Sequence, residues 1–190
     1  MFRLKSVLIT WFRKWLQPDW VVKSVYEIDP NDLERWGVKT LLIDIDNTLC
    51  ERAKSVPDWK AKKLLREWKE RGFKILLVSN SSKTKRLIKV VEFLETSAIM
   101  LSLKPLPFIY KKLVKDHGVN IKDTVVIGDQ LFTDILGGKL SGIRTIYTYP
   151  LAIEMNEYRR LMIGFEKWLL KTALIPKDQS YRRFDSVPHL

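Results

Sequence analysis

Five short apolar runs, each but the last followed by a stretch of helix length, constrain this chain more than any other feature. They fall at residues 38–45, 73–78, 98–101, 124–127 and 143–147. A run that is apolar nearly throughout, as in TLLIDI or TVVI, reads as a strand buried on both faces, the condition of central strands in parallel sheets. Between the runs, residues 57–71, 83–94, 107–117 and 131–140 carry helical periodicity, and Gly72 and Gly118 stand just past two of the helix ends. This strand–helix alternation predicts one α/β domain, a central parallel sheet flanked by helices. The 190 residues, 46% apolar and 29% charged, suffice for a single core. No stretch approaches the roughly 20 uncharged apolar residues of a spanning helix. One cysteine, Cys50, and two histidines leave no disulfide framework or zinc cluster to build.

The chain carries 34 Lys and Arg against 22 Asp and Glu, a net charge of +12. An excess of that size suits an anionic partner: nucleic acid, a membrane surface or a phosphorylated substrate. It is unevenly spread. Residues 1–18 hold Arg3, Lys5, Arg13 and Lys14 and no acid, while residues 52–74 hold nine basic side chains against Asp58, Glu67 and Glu70. In the first segment Leu4, Leu8, Trp11 and Trp15 share a helical stripe opposite Arg3, Arg13 and Lys14. That composition suits a membrane interface and packing on the chain's own core equally. The uncharged stretch 6–12 is short and no small-residue cleavage site follows, so the segment does not read as a secretory signal. A second stripe, Leu151, Met155, Tyr158, Met162, Phe165 and Leu169, predicts a C-terminal amphipathic helix packed on the domain. The chain thus divides into a basic amphipathic segment (1–24), a core (25–150) and a C-terminal helix with its tail (151–190). Trp36, Trp59 and Trp68 read as packing residues, Cys50 as a small apolar side chain, His117 as a helix-end cation, and Arg159-Arg160 as a solvated face.

Acids gather at strand ends, where α/β folds build their sites. Asp44 and Asp46 close the first run within DIDNT. Two carboxylates one residue apart reach a common pocket as the chain bends away, and buried together they repel unless a proton or a divalent cation intervenes. Gly128-Asp129-Gln130-Leu131-Phe132-Thr133-Asp134 repeats the arrangement after TVVI. Ser79-Asn80 ends a third run and offers a hydroxyl and a backbone N–H to an anion. Lys104, before Pro105, adds an ammonium that balances the carboxylates.

In order and at strand ends, these residues resemble the four motifs of the haloacid dehalogenase (HAD) superfamily: DxDxT at Asp44–Thr48, Ser79-Asn80, Lys104-Pro105 and GDxxxxD at Gly128–Asp134. The wording DIDNTL with GDQLFTD and a following Gly137-Gly138 helix is similar to the YqeG-type branch, subfamily IIIA, related to the phosphatidylglycerophosphatases. The resemblance implies a Rossmann-like HAD domain and a phosphatase. It implies Asp44 as nucleophile, Asp46 as general acid and base, and Mg²⁺ on the Asp44 carboxylate, the Asp46 carbonyl and Asp129. It further implies Ser79 and the Asn80 amide on the phosphoryl oxygens, Lys104 as transition-state cation, Asp134 orienting Lys104 or water, and Thr48 orienting the loop by its hydroxyl. Gln130 receives no role.

The spacing between motifs leaves room for one helix and one strand at a time, so no cap domain is expected and the pocket is open. An open site suits a large substrate that itself excludes water. The reading that uses the open site, the Trp/Arg/Lys segment and the charge together is a Mg²⁺-dependent phosphatase acting on phosphatidylglycerophosphate. It would sit peripherally on an anionic membrane surface from the cytoplasm, or from the matrix side in a mitochondrion. The alternative is a soluble phosphatase acting on a nucleotide, a nucleic-acid end or a phosphoprotein. Nucleic acid is disfavoured, because basic and aromatic residues do not interleave as in a base-stacking platform.

Overall fold

The computed structural model describes residues 10–81, 84–100, 104–118, 120–152 and 157–171. Six strands, β1 (Trp20–Val22), β2 (Thr40–Asp44), β3 (Lys74–Ser79), β4 (Ala98–Met100), β5 (Thr124–Gly128) and β6 (Arg144–Thr148), form one sheet. The order is β1-β6-β5-β2-β3-β4, and every neighbouring pair is parallel. Helices α1 (10–16), α2 (Pro30–Arg35), α3 (Trp59–Glu70), α4 (Thr84–Leu94), α5 (Pro107–Asp116), α6 (Leu136–Leu140) and α7 (Glu157–Leu169) surround it.

The β2 strand shows why its sequence is apolar throughout. Leu41 and Ile43 enter one core with Trp68, Leu65 and Val90, while Leu42 enters the other with Leu76, Val126 and Tyr110. Period-two alternation therefore has no polar partner face to display. Between β2 and β3 the chain forms a loop and α3 alone, in line with the capless reading. The close fit of α6 depends on Gly137, where an added Cβ would lie 2.4 Å from the Tyr110 ring.

Several details depart from the sequence expectations. The sheet gains a sixth strand, β1, inside the segment assigned to 1–24. Only three residues long, it pairs Trp20 with Ile146, and Asp19 beside it locks onto Thr145 through a backbone bond of 3.0 Å and a side-chain bond of 2.7 Å. Helix α3 begins at Trp59 because Asp58 adopts the extended N-cap conformation, which leaves Pro57 outside. Trp59 is exposed rather than packed, whereas Trp68 is buried. The basic run 52–74 is largely a solvated helix face with i,i+4 pairs such as Arg66–Glu70 and Lys63–Glu67.

The terminal helices meet on one apolar cluster, where Leu16 and Phe12 of α1 join Leu131, Ile135, Tyr147, Leu169 and Leu170. The N-terminal stripe is thus at least partly core. Leu4, Leu8 and Met155 lie outside the described residues. The stripe proposed for α7 is turned: Leu169 is buried, but Tyr158 and Phe165 are exposed, and the buried positions are Ile163, Glu166, Leu169 and Leu170. Among the described residues, no helix is long and apolar enough to cross a membrane.

Candidate active site

The chain runs from β2 outward to β3 and β4, then crosses back to β5 and β6. The topological switch therefore lies between β2 and β5, and the carboxyl ends of these strands are where such folds place ligands. Pairing of Asp44 with Val78, and of Ile43 with Ile127, brings Asp44, Ser79 and Asp129 to neighbouring strand ends. A pocket of about 130 Å³ opens there, lined by Asp44, Asp46, Arg52, Asn80, Ser81, Lys104, Gln130, Thr133 and Arg159.

A tight turn after β2 brings Asp46 back beside Asp44. Asn47 adopts φ 62°, which Asn tolerates better than most residues. Backbone bonds from Leu49 and Cys50 to the Ile45 carbonyl (3.1 and 2.9 Å) and from Asn47 to the Cys50 carbonyl (2.7 Å) close the turn. The Asn47 side chain accepts from the Arg52 N–H at 3.2 Å. The Thr48 hydroxyl, expected to orient this loop, is buried with no hydrogen-bond partner, so the backbone and Asn47 do that instead.

Lys104 is the pivot of the site. Its buried Nζ donates to Asp44 Oδ1 at 2.6 Å and to Asp134 Oδ1 at 2.7 Å. The Asn80 side chain fixes the lysine backbone from both sides, donating to the Lys104 carbonyl (3.2 Å) and accepting from its N–H (3.1 Å). Sequence reasoning had considered only the Asn80 amide, and a clamp 24 residues away leaves no local signal. Ser79 is buried, and its Oγ accepts from the Ser81 N–H at 3.0 Å, which leaves its own proton to donate. Asp134 uses its second oxygen to accept from the Gln130 N–H at 3.2 Å. Gly128 is required beneath it, because a Cβ there would lie 2.4 Å from the Asp134 carboxyl carbon.

Three residues enter the site that the sequence left without a role or outside it. Gln130 donates to Asp129 Oδ1 (3.3 Å) and accepts from Arg159 Nη1 of α7 (2.7 Å). Gln130 is therefore the bridge between the β5 carboxylate and the C-terminal helix. Arg159, read as solvated, lines the pocket, with Nη2 at 4.0 Å from Asp129. Arg86 of α4 donates to Asp46 Oδ1 at 2.7 Å, and the same guanidinium holds the Lys54 carbonyl (2.8 Å), the Glu51 carbonyl (3.3 Å) and Cys50 Sγ (3.4 Å). Cys50 is buried, and burial pushes its thiol pKa up, so it stays neutral.

The electrostatics follow from burial. The Asp44 carboxyl is raised to about 7, chiefly by burial, with Lys104 opposing and Asp134 and Asp46 adding to the rise. Burial likewise holds Asp129 well above the ordinary range, with Asp44 and Asp134 adding to the effect and Arg159 opposing it. Burial disfavours the Lys104 ammonium, but Asp134 and Asp44 more than offset this and raise its pKa. Oxygens of Asp44, Asp129 and Asp134 lie within 4.8 Å of one another. Asp44 Oδ2 and Asp129 Oδ2 are buried with no hydrogen-bond partner. An all-oxygen, anionic set with unused lone pairs fits a hard divalent cation. Asp134 has both oxygens engaged, which leaves Asp44 and Asp129 as the better side-chain donors.

The model of the haloacid dehalogenase-like hydrolases matches residues 53–142. A Bacillus subtilis protein named probable phosphatase YqeG is 36% identical over 74% of this chain and 81% of its own length. The Arabidopsis thaliana phosphatidylglycerophosphate phosphatase 1, chloroplastic/mitochondrial, is 29% identical over 88% of this chain, which spans 52% of that protein. A solved structure of an uncharacterized Listeria monocytogenes protein shares the fold, with a TM-score of 0.51 and 18% identity over 63% of this chain and 85% of that one. With the strand-end motifs drawn together at one pocket, these likenesses place the chain in the haloacid dehalogenase-like hydrolases, as a phosphatase of that superfamily.

Proposed function

We propose that the protein hydrolyses a phosphomonoester through an aspartyl phosphate on Asp44, and that its substrate is phosphatidylglycerophosphate at a membrane surface. The observation that carries the chemistry is the pairing of Asp44 with Lys104. Oδ1 is held by the ammonium and keeps a further lone pair, and Oδ2 has no protein partner, so the carboxylate has lone pairs both for a cation and for attack. Asp44 attacks phosphorus, the P–O bond to the leaving group breaks, and Asp46 gives its proton to the departing oxygen. Asp46 then takes a proton from the water that cleaves the acyl phosphate and regenerates Asp44. Arg86 donates to one Asp46 oxygen at 2.7 Å, which leaves the other oxygen for these proton transfers. Ser79 and the Asn80 amide bind phosphoryl oxygens, and Lys104, held by Asp134, offsets charge that develops on them. Asp44, Asp129 and the Asp46 carbonyl would hold Mg²⁺, which would supply neutralisation of the negative charge gathered at the site.

The lipid substrate is supported by the likeness to the Arabidopsis enzyme, the open capless pocket and the +12 charge. Peripheral association from the cytoplasmic or matrix side follows from the same reading, with the exposed Trp11, Arg13 and Lys14 of the N-terminal segment as one contact. The test is turnover of phosphatidylglycerophosphate in mixed micelles against nucleotides and phosphopeptides. The lipid is expected to lead in kcat/KM by at least a hundredfold, and a preference for either soluble class would overturn the substrate assignment.

A further inference from the structure

We infer that the outward face of α7, not only the N-terminal segment, is a docking surface for an anionic lipid bilayer. This rests on the lipid reading above and names the element that brings that substrate to the site. Tyr158, Leu161, Phe165 and Trp168 are 70%, 75%, 43% and 56% exposed, although each is large and apolar or aromatic. At about 100° per residue these four fall within an arc of about 80°, roughly opposite the buried Ile163 and bounded on the Tyr158 side by the buried Leu169. Phe165 stacks on Trp168 (5.8 Å) and on Phe132 (6.1 Å), so the aromatic file continues off the helix. Phe132 lies between Gln130 and Thr133, two walls of the pocket.

The same helix sends Arg159 into that pocket from its inner side. A body that seats α7 therefore lies close to the catalytic carboxylates. The charge around the face selects the occupant. Arg160, Lys167 and Lys171 are exposed on this helical segment against Glu157 alone. Beside it a groove of about 260 Å³ combines Leu151, Ala152, Ile163 and Gly164 with Arg160 and Lys167. Trp11 is 50% exposed, and Arg13 and Lys14 are exposed on α1, which shares its apolar cluster with Leu169 and Leu170. Aromatic rings framed by cations match an interface of headgroups and acyl chains. A second copy is disfavoured as occupant, since pairing these faces would oppose basic residues of two chains each carrying +12.

The test uses the full chain with Leu161→Gln and Trp168→Gln combined, neither of which touches the pocket. Partitioning is measured onto phosphatidylcholine vesicles with and without 30% phosphatidylglycerol, in composition on the order used for anionic interfaces. Loss of two largely exposed apolar side chains should weaken binding to the anionic vesicles by about a hundredfold. Turnover of a soluble aryl phosphate should stay unchanged. Unaltered vesicle binding by the double variant would overturn the proposal, as would loss of soluble turnover, which would make the face structural. A dimeric wild type that the substitutions render monomeric would reassign the face to self-association. Vesicle binding is read without substrate. If the wild type binds through α7 but leaves phosphatidylglycerophosphate intact, the docking face stands and the substrate assignment falls.

Discussion

Replacing Lys104 with methionine removes the countercharge from two buried carboxylates and nearly preserves volume. In the wild type its Nζ makes charge-assisted bonds of 2.6 and 2.7 Å to Asp44 and Asp134, all inside the protein. Removing one partner from a buried charge cluster costs about 3–5 kcal/mol. For a chain of this size that corresponds to a fall in Tm of roughly 6–20 °C. The loss should depend on pH in a defined direction. Asp44 already sits at about 7, raised above its ordinary value, and without Lys104 it rises further. A carboxyl raised in the folded state binds more protons folded than unfolded, so the variant's stability falls as pH climbs from about 4 through its folded value. Urea unfolding in chelator at pH 8, 6.5 and 5 should therefore show a gap of about 3–5 kcal/mol that narrows toward acid. A gap independent of pH, or one below about 1 kcal/mol at pH 8, would refute the buried-pair reasoning.

Arg86→Gln should lower kcat/KM on alkyl phosphates by roughly tenfold to a hundredfold and spare kcat/KM on p-nitrophenyl phosphate, whose leaving group needs no proton from Asp46; an equal loss of kcat/KM on both would make Arg86 merely structural. Burial raises the Glu166 carboxyl to about 7, so its cost to stability appears as pH rises from 4.5 and is complete above 7. Glu166→Gln, which still accepts from the Phe132 N–H, should therefore stabilise the protein at pH 8 by up to about 3 kcal/mol, with no gain near pH 4.5. Mg²⁺ at a hundred times its Kd should stabilise the chelated wild type by about 2.7 kcal/mol in differential scanning fluorimetry, and Asp129→Asn should abolish that shift.

The strands that hold the site are the legible part of this sequence. The apolar runs at 38–45 and 124–127, which hold strands 40–44 and 124–128, announce themselves because both faces are buried, and Asp44, Asp46, Asp129 and Asp134 are visible as acids at or just past their ends. What was missed is long-range. The three residues of β1 are too few for a period, and only the edge of β6 makes them a strand. Arg86 and Asn80 act on residues 40 and 24 positions away, where spacing carries no information. The α7 stripe was turned because periodicity assumes that the apolar face is the buried one. Here the inner face spends two positions on polar contacts, Arg159 to Gln130 and Glu166 to the Phe132 N–H, and the aromatic residues are displaced outward. Such a departure from the binary pattern is what the proposed docking role of α7 would produce.

In the proposed reaction, phosphorus passes through Asp44 on its way from the lipid to water. Acid quenching of the wild type during turnover of phosphatidylglycerophosphate labelled in its terminal phosphate, followed by peptide mapping, tests it most directly. A base-labile label is expected on the peptide that contains Asp44, lost in Asp44→Asn together with turnover. Hydrolysis at full rate with no label on that peptide, or with Asp44→Asn still active, would contradict it.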